Sequence, residues 1–216
     1  MAPDRCHHRL CPDCGHIRAL RLFNAHIHLT GRPNLKHLVL TFKNTPELAP
    51  EAIPWMRSCF TRLRHRKVFA RSWRGGIYSM EFTYTKAMGW HPHIHALIDG
   101  DFVPQAEISK AWLAITGSSA VVWIEKAKKS KQVLKYILKP SDELLADPAA
   151  LDNFLRVIRG RHFVSGWGKW YGVSERWLMG ELTCPYCGSA DIGGYVLVTW
   201  SAYYGRWVER SPPDIS

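Results

Sequence analysis

Two alternating segments joined by a short turn constrain this chain more than any other feature. In residues 77–85 (IYSMEFTYT), Tyr78, Met80, Phe82 and Tyr84 fall on one side, and Ser79, Glu81 and Thr83 on the other. In residues 92–98 (PHIHALI), Ile94, Ala96 and Ile98 alternate with His93 and His95. A period of two is the period of a strand, so each segment is expected to bury one face only. The turn around residues 86–90 is short enough to join them as an antiparallel hairpin.

The neighbouring segments extend this pattern. Residues 37–43 alternate too, with Leu38, Leu40 and Phe42 opposed to His37, Val39, Thr41 and Lys43. Residues 51–72 read as one helix with Ile53, Met56, Phe60, Leu63 and Val68 on its apolar side, broken by Gly75-Gly76. Cys59 falls in that apolar pattern and is expected in the core. A helix at about 105–115, a strand at 120–125 and a lysine-rich helix at about 128–139, ended by Pro140, follow. A helix at 148–159 carries Leu151, Phe154, Leu155 and Ile158, and YVLVTW at 195–200 is strand-like. This order predicts an α+β fold: a central antiparallel sheet packed by helices.

Charge points to the class of partner. The 216 residues carry a formal charge of +11, with 46% hydrophobic and 22% charged residues. That composition is globular, and no apolar run approaches the ~18 residues of a membrane span. The N-terminus lacks the apolar stretch of a signal peptide. A cytoplasmic protein with a polyanionic partner, nucleic acid first, and no membrane association is expected.

In a reducing compartment cysteines favour metal over disulfides. Cys11-Pro-Asp-Cys14-Gly and Cys184-Pro-Tyr-Cys187-Gly share one CPxCG pattern. Two thiolates at this spacing converge on one ion, and the glycine permits the tight turn. Together Cys11, Cys14, Cys184 and Cys187 would make a structural four-thiolate zinc site that clips the chain ends. The alternative is a local site of Cys6, Cys11, Cys14 and one of His7, His8 or His16. The shared site is favoured because the local one leaves Cys184 and Cys187 without a role. The expected organisation is a knuckle segment at 1–30, a catalytic domain at 31–172, and a second knuckle with a strand at 173–216.

The chemistry concentrates in the second strand of the hairpin. His93 and His95 project from one face, and two imidazoles there can hold a divalent cation. If the register allows, Glu81 on the paired strand completes a His-His-Glu set with positions left for phosphate oxygen and water. In the lysine-rich helix Tyr136 and Lys139 are neighbours on one face. A phenol has a pKa of about 10 and needs nearby positive charge to act as a nucleophile. Arg62, Arg64, Arg66, Lys67, Arg71 and Arg74, with Trp73, are candidates for phosphate contacts and base stacking.

Taken in order, these segments resemble the HUH endonucleases, and specifically the rolling-circle replication initiators of small plasmids. The resemblance rests on His93-Ile94-His95, on Tyr136 with Lys139, on LVLTFKN (38–44), on Glu81 in MEFTYT, and on the Cys-rich start CHHRLCPDC. It covers roughly residues 6–172. It implies a ferredoxin-like or RRM-like domain in which Mg²⁺ or Mn²⁺ sits on His93, His95 and Glu81. Tyr136 then nicks single-stranded DNA or a hairpin origin, leaving a 3′-OH and a 5′-phosphotyrosyl protein, with Lys139 assisting. Some initiators place a Glu four residues before the Tyr to end the cycle. Here that residue is Gln132, which cannot act as a base, and Glu125 or Glu143 are the substitutes to consider. No GxxxxGK[ST] loop is present, so unwinding would fall to a separate host helicase, and synthesis to a host polymerase.

Three other readings compete. A single-strand transposase of the same superfamily shares the nicking chemistry. A histidine-triad nucleotide hydrolase or transferase would use His91-Pro92-His93-Ile94-His95-Ala96-Leu97, although Pro92 interrupts its signature. A non-enzymatic zinc-ribbon protein would bind nucleic acid without chemistry.

Overall fold

A computed structural model describes residues 35–127, 142–172, 198–201 and 206–209, together with Leu10. The chain divides into two units, Arg32–Tyr171 and a second that combines Met1–Gly31 with Gly172–Ser216.

The larger unit is an α+β domain built on an open five-stranded antiparallel sheet. Its elements are β1 (Leu35–Thr41), α1 (Ala52–His65), α2 (Lys67–Ser72), β2 (Trp73–Thr85) and β3 (Gly89–Gly100). Then come α3 (Gln105–Thr116), β4 (Val122–Lys126), α4 (Asp142–Leu145), α5 (Pro148–Ile158) and β5 (Val164–Gly168). The strand order is β4-β1-β3-β2-β5. In the second unit β6 (Val198–Ser201) pairs antiparallel with β7 (Arg206–Glu209). Among the described residues no helix is long and apolar enough to cross a membrane.

Alternation decides which face of the sheet is buried. Leu38, Leu40, Met80, Ile94, Ala96 and Ile98 are wholly buried, as their period requires. α1 covers this face with Ile53, Met56, Cys59, Phe60 and Leu63, and the Phe60 ring meets that of Tyr78 at 4.7 Å. α3 adds Trp112, packed edge-on against Phe42 at 5.0 Å. α5 adds Phe154, stacked on Trp90 at 5.1 Å. Burying each of these large side chains contributes roughly 1.5–3 kcal/mol.

The helix ends have local causes. Asp147 caps α5 by accepting the Ala150 N–H at 3.0 Å, with Pro148 at the first helical position. The same carboxylate accepts the Tyr84 hydroxyl at 2.7 Å and so ties α5 to β2. Gly117, at φ 73°, closes α3 in the left-handed conformation.

Two expectations need correction, and one strand is added. Residues 51–72 form two helices, because Arg66 is extended at ψ 139°. The helical phase restarts there, so Val68 is exposed and Phe69 is buried. Gly75-Gly76 does not break a helix but lies inside β2, where Trp167 packs over Gly76. The fifth strand, at Val164–Gly168, was not expected from so Gly-rich a segment.

Candidate metal and nucleic-acid site

The face of the sheet opposite α1 carries the ionisable groups. Directly opposed residues share a face, so the register defines three rows. Thr41, His93 and Glu81 form the first; Trp123, Val39, His95 and Ser79 the second; Glu125, His37, Leu97 and Ile77 the third. The register therefore sets Glu81 directly across from His93, as the candidate set requires.

Side-chain contacts link the rows diagonally. His95 Nε2 donates to Glu81 Oε2 at 2.8 Å. The other ring nitrogen, Nδ1, lies 3.3 Å from His37 Nε2, and the two rings stack at 5.6 Å. His37 Nδ1 in turn faces Glu125 Oε1 at 4.0 Å. His93 instead stacks on His91, with centroids 4.2 Å apart. His91 Nε2 and His93 Nδ1 are buried nitrogens with no hydrogen-bond partner.

Burial favours the neutral form of His93, His37 and His91. It is the main cause that pushes the His93 pKa down to about 4, reinforced by His91 and His95 and opposed by Glu81. His37 is lowered by burial and then by His95, with Glu125 opposing, and His91 by burial. Neutral imidazole is the ligand form, so these rings are available to a metal at neutral pH.

Among the described residues no group of three His, Cys, Asp or Glu side chains is already converged as a ligand set. The reason is local: the Glu81 carboxylate turns to His95, while His93 stacks on His91. The donor types nevertheless fit a divalent cation. Two imidazoles and a carboxylate share one face, and a buried His93 nitrogen lacks a partner.

Backbone anchoring holds the site's edges. Trp112 Nε1 and Ser119 Oγ both donate to the Thr41 carbonyl, at 2.8 and 2.7 Å. Glu143 accepts the Lys86 N–H at 2.8 Å in the hairpin turn, which commits it to structure. Glu125 stands on the histidine face.

The basic candidates divide by environment. Arg62, Arg66, Lys67, Arg71 and Arg74 are exposed. Arg74 pairs with Asp99 at 3.2 Å and Asp101 at 3.5 Å. Arg64 packs its guanidinium over Phe60 and Trp167, at 5.2 and 5.1 Å. Trp73 is buried against Phe69 at 4.7 Å, so its indole is not presented for stacking. Because the apolar stripe of α1 packs on the Tyr78 face, Arg62 lies across the sheet from the histidines. Tyr136, Lys139 and Gln132 lie outside the described residues, as do Cys6, Cys11, Cys14, Cys184 and Cys187.

Sequence reasoning gave no role to His37 or to Trp123. Trp123 is 62% exposed on the edge strand, in the same row as His95. Alternation placed His37 on the polar face of its strand, but only the register brings it to His95. No known protein family, curated protein or solved structure matches the chain.

Proposed function

We propose that this protein nicks and rejoins single-stranded DNA with a tyrosine nucleophile and a divalent cation, initiating rolling-circle replication of a plasmid-like element. One observation carries the reading. Glu81 lies opposite His93 in the hairpin and 2.8 Å from His95, so the carboxylate reaches a pair of imidazoles on one rigid face. The exposed Trp123 in the same row supports a single strand as substrate, because every base offers a face for stacking. The charge of +11 supports a polyanion.

His93, His95 and Glu81 would hold Mg²⁺ or Mn²⁺, which when bound supplies Lewis-acid polarisation of a phosphate. The Tyr136 oxygen bonds to phosphorus as the P–O3′ bond breaks; the phenol loses its proton and the 3′ oxygen leaves as a hydroxyl. The phosphotyrosyl bond conserves the energy of the phosphodiester, so the reverse step rejoins the strand. Lys139 would position the phosphate. Cys11, Cys14, Cys184 and Cys187 would hold a structural zinc, a reading supported by their shared CPxCG pattern. A separate helicase and polymerase would complete the partners.

The test is a covalent adduct. The protein is incubated with a labelled pool of randomised single-stranded oligonucleotides and Mn²⁺, then denatured. The reading expects an adduct with the wild type and none with Tyr136→Phe or with His93→Ala plus His95→Ala. An adduct that survives Tyr136→Phe, or nucleotide hydrolysis without any adduct, would overturn it.

A further inference from the structure

We propose that His37 and Glu125 form a positioning relay behind His95, which selects the His95 tautomer able to ligate the catalytic cation. The inference rests on the metal reading of His95 above and adds two residues which that reading does not use.

The distances argue for a directional chain. His95 Nε2 lies 2.8 Å from a carboxylate oxygen of Glu81, so it carries the ring hydrogen in this geometry. With one hydrogen on the His95 ring, its Nδ1 is a lone pair, and the His37 Nε2 at 3.3 Å is the donor. Neutral His37 is left with a lone pair on Nδ1, aimed at the Glu125 carboxylate. Two acceptors cannot bond, and that contact is the longest of the three, at 4.0 Å. The chain is satisfied at the Glu81 end and unsatisfied at the Glu125 end.

A cation on His95 Nε2 requires the opposite order. The ligating nitrogen must offer its lone pair, so the hydrogen moves to Nδ1. His37 Nε2 then accepts it, and the His37 hydrogen goes to Nδ1, where the Glu125 carboxylate is the acceptor. Every hydrogen now has a partner, and the chain ends on a negative charge that raises the basicity of the ligand. In this exchange each ring keeps one hydrogen; only its position changes. Partners of this kind on the second nitrogen of a ligating histidine typically change metal affinity about 10–100-fold when removed.

Geometry makes the relay specific to these residues. Glu125 is the direct cross-strand neighbour of His37 on β4, and His37 is diagonal to His95 across the β1–β3 ladder. His37 has only 15% of its side chain exposed, which holds the ring in place, whereas Glu125 is 37% exposed and can adjust.

Two measurements test the proposal on the full-length protein. Ring ¹⁵N spectra of histidine-labelled protein are recorded in EDTA and in saturating Mg²⁺, with His37 and His95 assigned by His37→Gln and His95→Gln. Both rings are expected to change from the Nε2–H to the Nδ1–H form. Mn²⁺ affinity is measured by titration for His37→Ala, Glu125→Ala and Glu125→Gln. The first two are expected to bind about 10–100-fold more weakly, and Glu125→Gln, whose amide oxygen still accepts Nδ1–H, should recover most of the loss. Glu125→Ala guards against a folding artefact, because this partly exposed side chain supports no core contact. If His95→Ala abolishes Mn²⁺ binding while His37→Ala and Glu125→Ala bind as the wild type does, the relay alone is overturned. If the wild type binds no better than His95→Ala, the metal reading fails and the relay fails with it.

Discussion

Glu81 sits directly across the hairpin from His93, yet its carboxylate bonds to His95, one step further along the same face at 2.8 Å. Glu81 thus has two separable roles, as acceptor for His95 Nε2–H and as a candidate metal ligand. Glu81→Ala removes the acceptor from a largely buried ring and should cost about 1–3 kcal/mol of stability. Glu81→Gln keeps an acceptor oxygen and should recover most of that loss. Both variants should lose Mn²⁺ binding and adduct formation. Urea unfolding beside Mn²⁺ titration separates the two roles; a Glu81→Gln protein that binds Mn²⁺ normally would remove Glu81 from the ligand set.

The histidine face predicts a pH-dependent stability. His93 falls from 6.5 to about 4, and His37 and His91 are also lowered, so in the folded chain these rings resist protonation. The unfolded chain takes up those protons near pH 6.5. Unfolding then binds protons, and stability must fall as pH drops from about 6.5 towards 4, while above that window the rings contribute no slope. For His93 the effect is of order 1–3 kcal/mol after allowance for solvent screening. Urea unfolding in EDTA at several pH values should show a shallower acid loss for His93→Gln than for the wild type. Equal slopes would mean that His93 is accessible to protons in the folded chain.

Local periodicity made much of this architecture legible. Alternation identified the β2–β3 hairpin, the buried face of Ile94, Ala96 and Ile98, and the shared face of His93, His95 and Glu81. What it could not provide was non-local. The placement of β1 between β3 and β4 brings His37, Glu125 and Trp123 beside His95, and no local pattern encodes which strands become neighbours. The break at Arg66 was hidden because residues 60–72 contain neither Gly nor Pro. Burial of Trp73 was hidden because an aromatic in a basic stretch is equally consistent with core packing and base stacking. β5 was missed because Gly166 and Gly168 lower strand propensity, whereas here they admit close backbone contacts from Trp170 and Arg74.

Trp123 tests whether the histidine face receives a single strand. It is 62% exposed on the edge strand β4, so Trp123→Ala should change folding stability by no more than about 0.5 kcal/mol. Loss of one stacked base should weaken single-stranded DNA binding by about 1–3 kcal/mol. Fluorescence anisotropy with a labelled oligonucleotide measures this directly. The opposite face supplies the contrast: an equal loss from Arg62→Ala with none from Trp123→Ala would place the strand along α1.

Gly76 and Gly117 separate steric need from conformational need. A Cβ at Gly76 would lie 2.2 Å from the Leu97 carbonyl oxygen and 2.4 Å from Trp167 Cη2. Neither neighbour can yield easily, because Leu97 belongs to the adjacent strand and Trp167 is wedged against Phe60 and Tyr78. Gly76→Ala should therefore cost more than about 3 kcal/mol, at the severe end for a single substitution. At Gly117 nothing lies within 4 Å of the added carbon, and only the φ of +73° opposes it. Gly117→Ala should cost about 1–2 kcal/mol, the strain of a left-handed L-residue. The two also differ in reach. Gly76 shares β2 with Glu81, so relief of the clash must shift the strand that carries the carboxylate, and Mn²⁺ affinity should fall in whatever protein still folds. Gly117 closes α3 on the other face, and its variant should bind Mn²⁺ as the wild type does. Thermal unfolding and Mn²⁺ titration on both variants check the pair; a Gly76→Ala protein of normal stability and affinity would show that β2 is not held by Trp167 in the way described.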